Sequence, residues 1–451
     1  MPPGPPVRNA VGDYHFHVYD YVGSAAWQLS APQPARNGYS FYSMLQDLNG
    51  LVAAGGLRNV PNIAIANGAA ATTGARQTMI LSLGNLTNAA GLPTVLITGG
   101  IHAREWAATE MAYLLAEYLI VNYQQAPATA NQRTLKNLVD SRNIRIIPML
   151  NPDGNDYTVF GAGGANARLW RKNRRNLPAN PAGWVAALTT AAGPNPPFTN
   201  VAAAGPGGSA QYDVPDYDPA HAIPPGVPAT RTRNLLDGQT GVDLNRNLAT
   251  QASGYDAGPD YASYNPVEMS YFGPSRGGEI ETANLQAYAT ALGAVAASID
   301  YHAFGQLIIY AGEASHQGRI RADYLSLGHS LHQLIHSQGV LDYQLGTPLQ
   351  TVRYEVTGSV ADYLAQLNQS RAFTVEVDPP LYPNPGNAGF MLDQTSILAM
   401  FRKNIRGALA AIAAPVAATT WYGRLDRRRQ INASSNTFLG WNVYNRGNQL
   451  P

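Results

Sequence analysis

Short apolar runs rich in β-formers alternate with longer stretches of helical period through the middle of the chain. TMILSLG at 78–84, TVLITGG at 94–100 and NIRIIPML at 143–150 read as strands, with a helical pattern over 106–123 between the second and third. VAASIDYH at 295–302, QLIIY at 306–310 and FTVEV at 373–377 continue the series, separated by helical stretches near 279–293, 321–338 and 394–413. This alternation predicts an α/β fold: a central mixed, mostly parallel twisted β-sheet flanked by helices, in a single large domain. Several of the strands are apolar on both faces, as a sheet covered on both sides requires.

The stretch from about 178 to 240 breaks the pattern. About half of it is Pro, Gly and Ala with no sustained period, so it reads as a long insertion or excursion loop within a catalytic domain spanning 35–415. Residues 1–34 and 416–451 also lack strong periodicity and are expected to be N- and C-terminal extensions. With 451 residues, 45% of them hydrophobic, the chain has ample material for one large core. Lys+Arg at 30 against Asp+Glu at 29 leaves a formal charge of +1, which recruits neither nucleic acid nor an anionic membrane. No run approaches the roughly 18 apolar residues of a membrane span. MPPGPPVRNAVGDY lacks the apolar region of an export signal, so cytoplasmic is the default expectation, with secretion by another route left open. With no Cys, any metal must be held by His and carboxylates.

The candidate chemistry begins at VLITGGIHAREW, 95–106, where an apolar strand runs through two glycines into a helical pattern. His102, Arg104 and Glu105 thereby fall at the carboxyl end of a strand, the edge where open α/β sheets bind ligands. His102 and Glu105 are three apart, so one helical turn can bring an imidazole and a carboxylate together. That spacing alone is as readily a surface ion pair. His302 ends another buried strand, SIDYH, and can complete a His₂Glu set of the kind that leaves one coordination position open.

The words around these residues resemble the carboxypeptidase A family of zinc metallocarboxypeptidases. After G-I-H-A-R-E-W at 100–106 come N-P-D-G at 151–154, R-L-W-R-K at 168–172 and G-V-D-L-N-R-N at 241–247. Y-H-A-F-G-Q at 301–306, the stretch from Tyr354 through G-S-V-A-D-Y at 358–363, and F-T-V-E-V follow in the family's order, so the resemblance covers about 36–413. It implies one Zn²⁺ per chain on His102, Glu105 and His302, and a peptide or protein substrate with a free C-terminus. Asp243 would hydrogen-bond His102, a turn-capping role being its plainer alternative. By the same resemblance Glu376 would be the general base, Arg171 would stabilise the oxyanion, Asn245 and Arg246 would clamp the terminal carboxylate, and Tyr354 would close over it. The residue types suit these roles: a planar guanidinium matches a carboxylate bidentately, and Glu376 in an apolar strand needs a polar site or a cation to face. Arg104 either assists Arg171 or is a solvated cation at a helix start. The basic run at 168–175 reads as part substrate groove, part solvated surface.

Two departures stand out. Seventy-three residues separate Arg171 from Asn245, more than the family pattern needs, so the insertion is expected to border the cleft. Phe304 replaces the family's usual Tyr, which removes a hydroxyl able to contact peptide backbone. For the side chain to be released, Ala361 stands where basic-specific digestive members carry Asp. Asp300 shares a strand face with His302 and is expected to point into the pocket region, with Glu313 and Arg353 nearby. A hydrophobic or mixed preference is the first expectation, and a basic one stays open. His329, His332 and His336 fall at helical spacing and read as a polar helix face; His15, His17, His221 and His316 have no motif around them. A monomer with no nucleic-acid or membrane partner is expected. The alternative function is that of a related zinc amidohydrolase acting on cell-wall peptides or acyl-amino acids; a non-catalytic binding module fits poorly because every role is filled.

Overall fold

A computed structural model describes residues 91–123, 130–160, 168–175, 241–250, 275–311, 319–335, 343–354, 356–367, 370–381 and 394–414, with shorter pieces between and beside them. The central sheet has eight strands: β1 (Ile63–Ala71), β2 (Gln77–Gly84), β3 (Thr94–Gly99), β4 (Asn143–Ile147), β5 (Ala297–Gly305), β6 (Leu307–Tyr310), β7 (Gln344–Gly346) and β8 (Arg371–Pro380). Their spatial order is β1-β2-β4-β3-β5-β8-β6-β7. The neighbours β4/β3, β3/β5, β5/β8 and β6/β7 are parallel; β1/β2, β2/β4 and β8/β6 are antiparallel. The expected mixed, mostly parallel sheet is therefore present.

Among the described residues the helices of eight residues or more are α1 (Trp106–Asn122), α2 (Ala130–Asp140), α3 (Pro152–Phe160), α4 (Ile280–Leu292), α5 (Ala322–Leu334), α6 (Val360–Leu367) and α7 (Gln394–Ala413). The two-residue period of the strands sorts them into layers. Val95 and Ile97, Ile299 and Tyr301, Phe373 and Val375 pack with α1, α2, α5 and α7 in the larger core. Leu96, Ile147 and Ala372 face the opposite way, against α4 and α6. Asp300, His302, Thr374 and Glu376 alternate with larger-core residues and so lie on this second face, at the carboxyl ends of two adjacent strands.

Several elements exceed the sequence reading. α3 starts at Pro152, with Asn151 Oδ1 accepting the Gly154 N–H at 2.9 Å, so N-P-D-G is also a capped helix start with Pro at its first position. α6 opens with Ser359 Oγ accepting the Asp362 N–H at 3.1 Å. Within 178–240, strands at 199–202, 210–215 and 230–235 form a separate three-stranded antiparallel sheet. TRTRNL does alternate, but too briefly and with too little apolar content to register as a strand. Residues 421–424, in the C-terminal stretch, pair antiparallel with 319–321. The rest of both terminal stretches, like Glu313, His15, His17, His221, His316 and His336, lies outside the described residues. Among the described residues no helix is long and apolar enough to cross a membrane.

The first turn of α4 buries Glu281, and burial pushes its carboxyl from its ordinary 4.5 up to about 7. The unfolded chain ionises this group at its ordinary value while the folded chain keeps the proton, so it weakens stability as pH rises from about 4.5 to about 7. Glu281→Gln is expected to flatten that dependence: near-equal stability around pH 5, and a gain of up to about 3 kcal/mol around pH 8. Urea titrations at the two pH values check it; parallel curves would show that the folded state does not hold the proton.

Candidate active site

The end of β3 turns at Gly100, whose φ of +64° suits glycine, and a Cβ there would lie 2.4 Å from Thr109 Oγ1. The turn delivers His102 and Glu105 side by side. They meet through a turn before α1, with the Glu105 N–H donating to His102 O at 3.1 Å and Glu105 serving as N-cap, and not along a helix as the spacing suggested. His302 reaches the same point from β5. His102, Glu105 and His302 are 3%, 3% and 1% exposed, and one ligand atom from each lies within 4.8 Å of the others. Among the described residues no other His, Asp or Glu trio converges in this way.

The hydrogen bonds behind the histidines fix what faces inward. Asp243 Oδ1 accepts from His102 Nε2 at 3.2 Å, and Asp300 Oδ2 accepts from His302 Nε2 at 2.8 Å. Each Nε2 therefore carries a proton toward a carboxylate and each Nδ1 is turned to the centre. The two Nδ1 atoms are 3.1 Å apart, with Glu105 Oε1 2.8 Å from one and Oε2 2.9 Å from the other. Lone pairs crowded this closely in a buried site need a cation between them. Burial alone would lower the His302 pKa, but without a metal ion the Asp300 and Glu105 carboxylates outweigh it and hold it well above its ordinary 6.5, so a proton on Nδ1 takes the place that a metal ion would fill. Burial would likewise raise Glu105 and Asp243; His102 and His302 hold the first well below the usual carboxylate range, and Arg171 and His102 the second. Two imidazoles and a carboxylate, each braced from behind, fit a zinc ion with an open coordination position.

Asp300 thus departs from expectation. Its other oxygen accepts from Thr98 Oγ1 at 2.6 Å, its register partner on β3, so it braces His302 and is absent from the cleft lining. Period two placed it on the correct face; only the strand register shows which neighbour takes it.

Arg171 donates to Asp243 Oδ2 through Nη2 at 2.9 Å and Nε at 3.1 Å, and its Nη1 lies 3.7 Å from Glu105 Oε1. The Ala103 N–H donates to Arg171 O at 3.0 Å, tying the metal-binding loop to this arginine. Asn245 Oδ1 accepts the Val360 N–H at the start of α6 at 3.0 Å. Arg246 is buried, donates Nη1 to Asn245 O at 2.8 Å, and its Nε has no partner among the described residues. Arg276, which the sequence reading did not single out, donates to Arg246 O at 2.9 Å and to Thr357 Oγ1 at 3.0 Å, bracing Arg246 against the segment after Tyr354. Glu376 sits in register beside His302. Glu376, His102, Arg171, Asn245, Arg246 and Tyr354 all line one cleft, of about 540 Å³ including space open to solvent. Tyr354 is 43% exposed at its mouth; Ala361 is buried in its lining.

Arg104 is half-buried and stacks on Phe390 at 4.4 Å, so it is not a solvated cation. Burial, reinforced by Arg171, lowers its pKa to about 10, which leaves it charged at neutral pH. The basic run also turns inward. Arg168 and Lys172 are buried, Arg168 stacks on Trp106 at 3.7 Å, Arg174 stacks on Tyr157 at 3.7 Å, and Arg175 pairs with Glu279. Phe304 packs edge-on against Phe390 with ring centroids 4.9 Å apart. His329 and His332 lie on α5, where burial lowers both pKa values, and neither joins a metal-binding group among the described residues.

The metallocarboxypeptidase A of Trichophyton equinum is 26% identical over 331 residues, 72% of this chain and 60% of that protein. Carboxypeptidase A4 of Mus musculus is 23% identical over 73% of this chain and 56% of its own length. The chain thus matches about three-fifths of the length of these curated relatives. Among solved structures, thrombin-activatable fibrinolysis inhibitor superposes with a TM-score of 0.57 at 18% identity, covering 86% of this chain and 75% of that one. Carboxypeptidase A from Helicoverpa armigera gives 0.56 at 20% identity over 84% and 74%; both share the fold. A family model for zinc carboxypeptidase matches residues 58–407, and the chain belongs to that family.

Proposed function

We propose that this chain is a zinc-dependent exopeptidase that hydrolyses the C-terminal peptide bond of peptides or proteins, releasing single residues with a hydrophobic or mixed preference. The observation that carries this reading is the buried Arg246, which lines the same cleft as His102 of the trio, Arg171 and Glu376 and whose Nε has no partner among the described residues. Arg246 and Asn245 would hold the substrate's terminal carboxylate, and Tyr354 would cover it from the mouth. One zinc ion on His102, Glu105 and His302 would polarise the scissile carbonyl and bring a water molecule's pKa toward neutrality. Glu376 would take the proton of the attacking water and pass it to the leaving amine, while Arg171 donates to the developing oxyanion.

The side-chain preference rests on the cleft lining, where Ile309, Ala311, Val352, Val356 and Ala361 are apolar and the acid other than Glu376, Asp362, accepts from Ser359 Oγ at 2.9 Å. With Asp300 engaged by His302 and Thr98, it is not placed to pair with a basic side chain. A related amidohydrolase on cell-wall peptides or acyl-amino acids has less use for the clamp. In a panel of free-acid peptides the protein is expected to release Leu or Phe faster than Lys or Arg, to stop on chelation and to recover with zinc. Release that survives exhaustive chelation, or cleavage at internal bonds, would overturn the reading.

A further inference from the structure

Arg171 and Asp243 stand at the two ends of the long excursion, yet the one donates twice to the other. The residue that closes the excursion between them is Asn173. It is 1% exposed, and each of its polar groups is engaged. Its N–H donates to Val242 O at 3.0 Å, and its Oδ1 accepts the Val242 N–H at 2.8 Å. The same Oδ1 accepts the Arg175 N–H at 3.3 Å, and Asn173 O accepts from Trp170 Nε1 at 3.1 Å. Nδ2 donates to Glu279 Oε2 at 2.8 Å and to Glu281 Oε2 at 3.3 Å, at the start of α4. The approach is close because Gly241, at φ +100°, has no Cβ; one placed there would lie 2.3 Å from Asn173 O.

We propose that Asn173 is the positioning residue that sets Arg171 against Asp243 and, through Asp243, the orientation of His102. It lies two residues after Arg171 and bonds the residue before Asp243, so the tie holds both functional side chains from adjacent backbone. A carboxamide is suited to this place because one end accepts backbone N–H groups while the other donates to two carboxylates; neither Asp nor an apolar residue can do both. The two carboxyl groups stand at the N-cap and in the first turn of α4, so the tie is referred to a rigid element and not to the excursion itself. Closing an excursion of this length costs chain entropy that contacts at its ends must offset.

The proposal rests on the exopeptidase reading for Arg171, and its test has an arm that does not. Asn173→Asp keeps the acceptor for Val242 but sets a third carboxylate against Glu279 and Glu281. In mildly alkaline buffer, zinc affinity by chelator competition and kcat are each expected to fall about ten-fold or more, with KM for a free-acid peptide little changed. Adding Glu279→Gln replaces the facing carboxylate with an amide donor and is expected to restore most of both. Wild-type zinc affinity and kcat in a cooperatively melting Asn173→Asp protein would overturn the proposal. So would a loss that Glu279→Gln leaves in place while the double variant still melts cooperatively. Should the aspartate variant not fold, Asn173→Ser, which drops the donors to α4, answers by the same readouts: unchanged affinity overturns the proposal, and a fall supports it. If the wild-type protein binds zinc but releases no C-terminal residue, the exopeptidase reading fails and the zinc arm still decides the role of Asn173.

Discussion

Replacing Glu376 by Gln is expected to lower kcat about a thousand-fold while the protein keeps its zinc. The amide has the same shape and keeps an acceptor oxygen, but it cannot take a proton at neutral pH. Burial pushes the Glu376 carboxyl up to about 8; His302 and Arg171 pull it down, while Glu105 and Asp300 push it further up. A zinc ion in the trio would add to the downward pull. A base must be ionised to act, so kcat/KM of the wild-type enzyme is expected to rise with pH through the Glu376 ionisation, and the residual rate of the Gln variant to lack that acid limb. KM should change little, because the proposed carboxylate clamp, Asn245 and Arg246, is separate. Steady-state kinetics beside metal analysis checks all three; a zinc-loaded Gln variant within about ten-fold of wild type would place the base elsewhere.

Arg171→Ala is expected to lower kcat by about a hundred- to a thousand-fold, the usual loss when one oxyanion donor is removed. It also strips the cation from between Asp243 and Glu105, leaving buried carboxylates under-compensated, so stability should fall by about 3–5 kcal/mol. Arg171→Lys separates the two effects. The ammonium keeps the charge and most of the stability but loses the fork that engages Asp243 while leaving Nη1 free to donate, so kcat should remain well below wild type. If the Lys variant regains full kcat, Arg171 acts through charge alone, and the bidentate contact is incidental.

Much of this site is legible in the sequence because it sits on short-range periodicity. In SIDYH and FTVEV the two-residue alternation places residues 300, 302, 374 and 376 on one face, and parallel pairing then sets Glu376 beside His302. The paired glycines before His102 likewise mark a turn at a strand end. What stayed hidden depends on contacts between distant segments. Asp300 lies on the right face, yet its engagement with Thr98 and His302 follows from the register of β3 against β5. The basic run 168–175 reads as half solvated, but stacking on Trp106, Tyr157 and Trp170 and pairing with Glu279 draw most of it inward. Asn173 and Arg276 carry no motif of their own; each matters through the backbone it holds beside Asp243 or Arg246. The three strands within 178–240 escaped because Ala, Gly and Pro dilute any period there.

Under the proposed function, the buried Arg246 and its neighbour Asn245 would receive the substrate's free carboxylate. The decisive measurement is kcat/KM for one apolar-ended peptide as the free acid and as its C-terminal amide, with zinc-loaded protein. The free acid is expected to be the better substrate by at least about a hundred-fold, since the amide leaves a buried guanidinium without its charged partner. Equal rates on the two peptides would contradict an exopeptidase acting through this clamp.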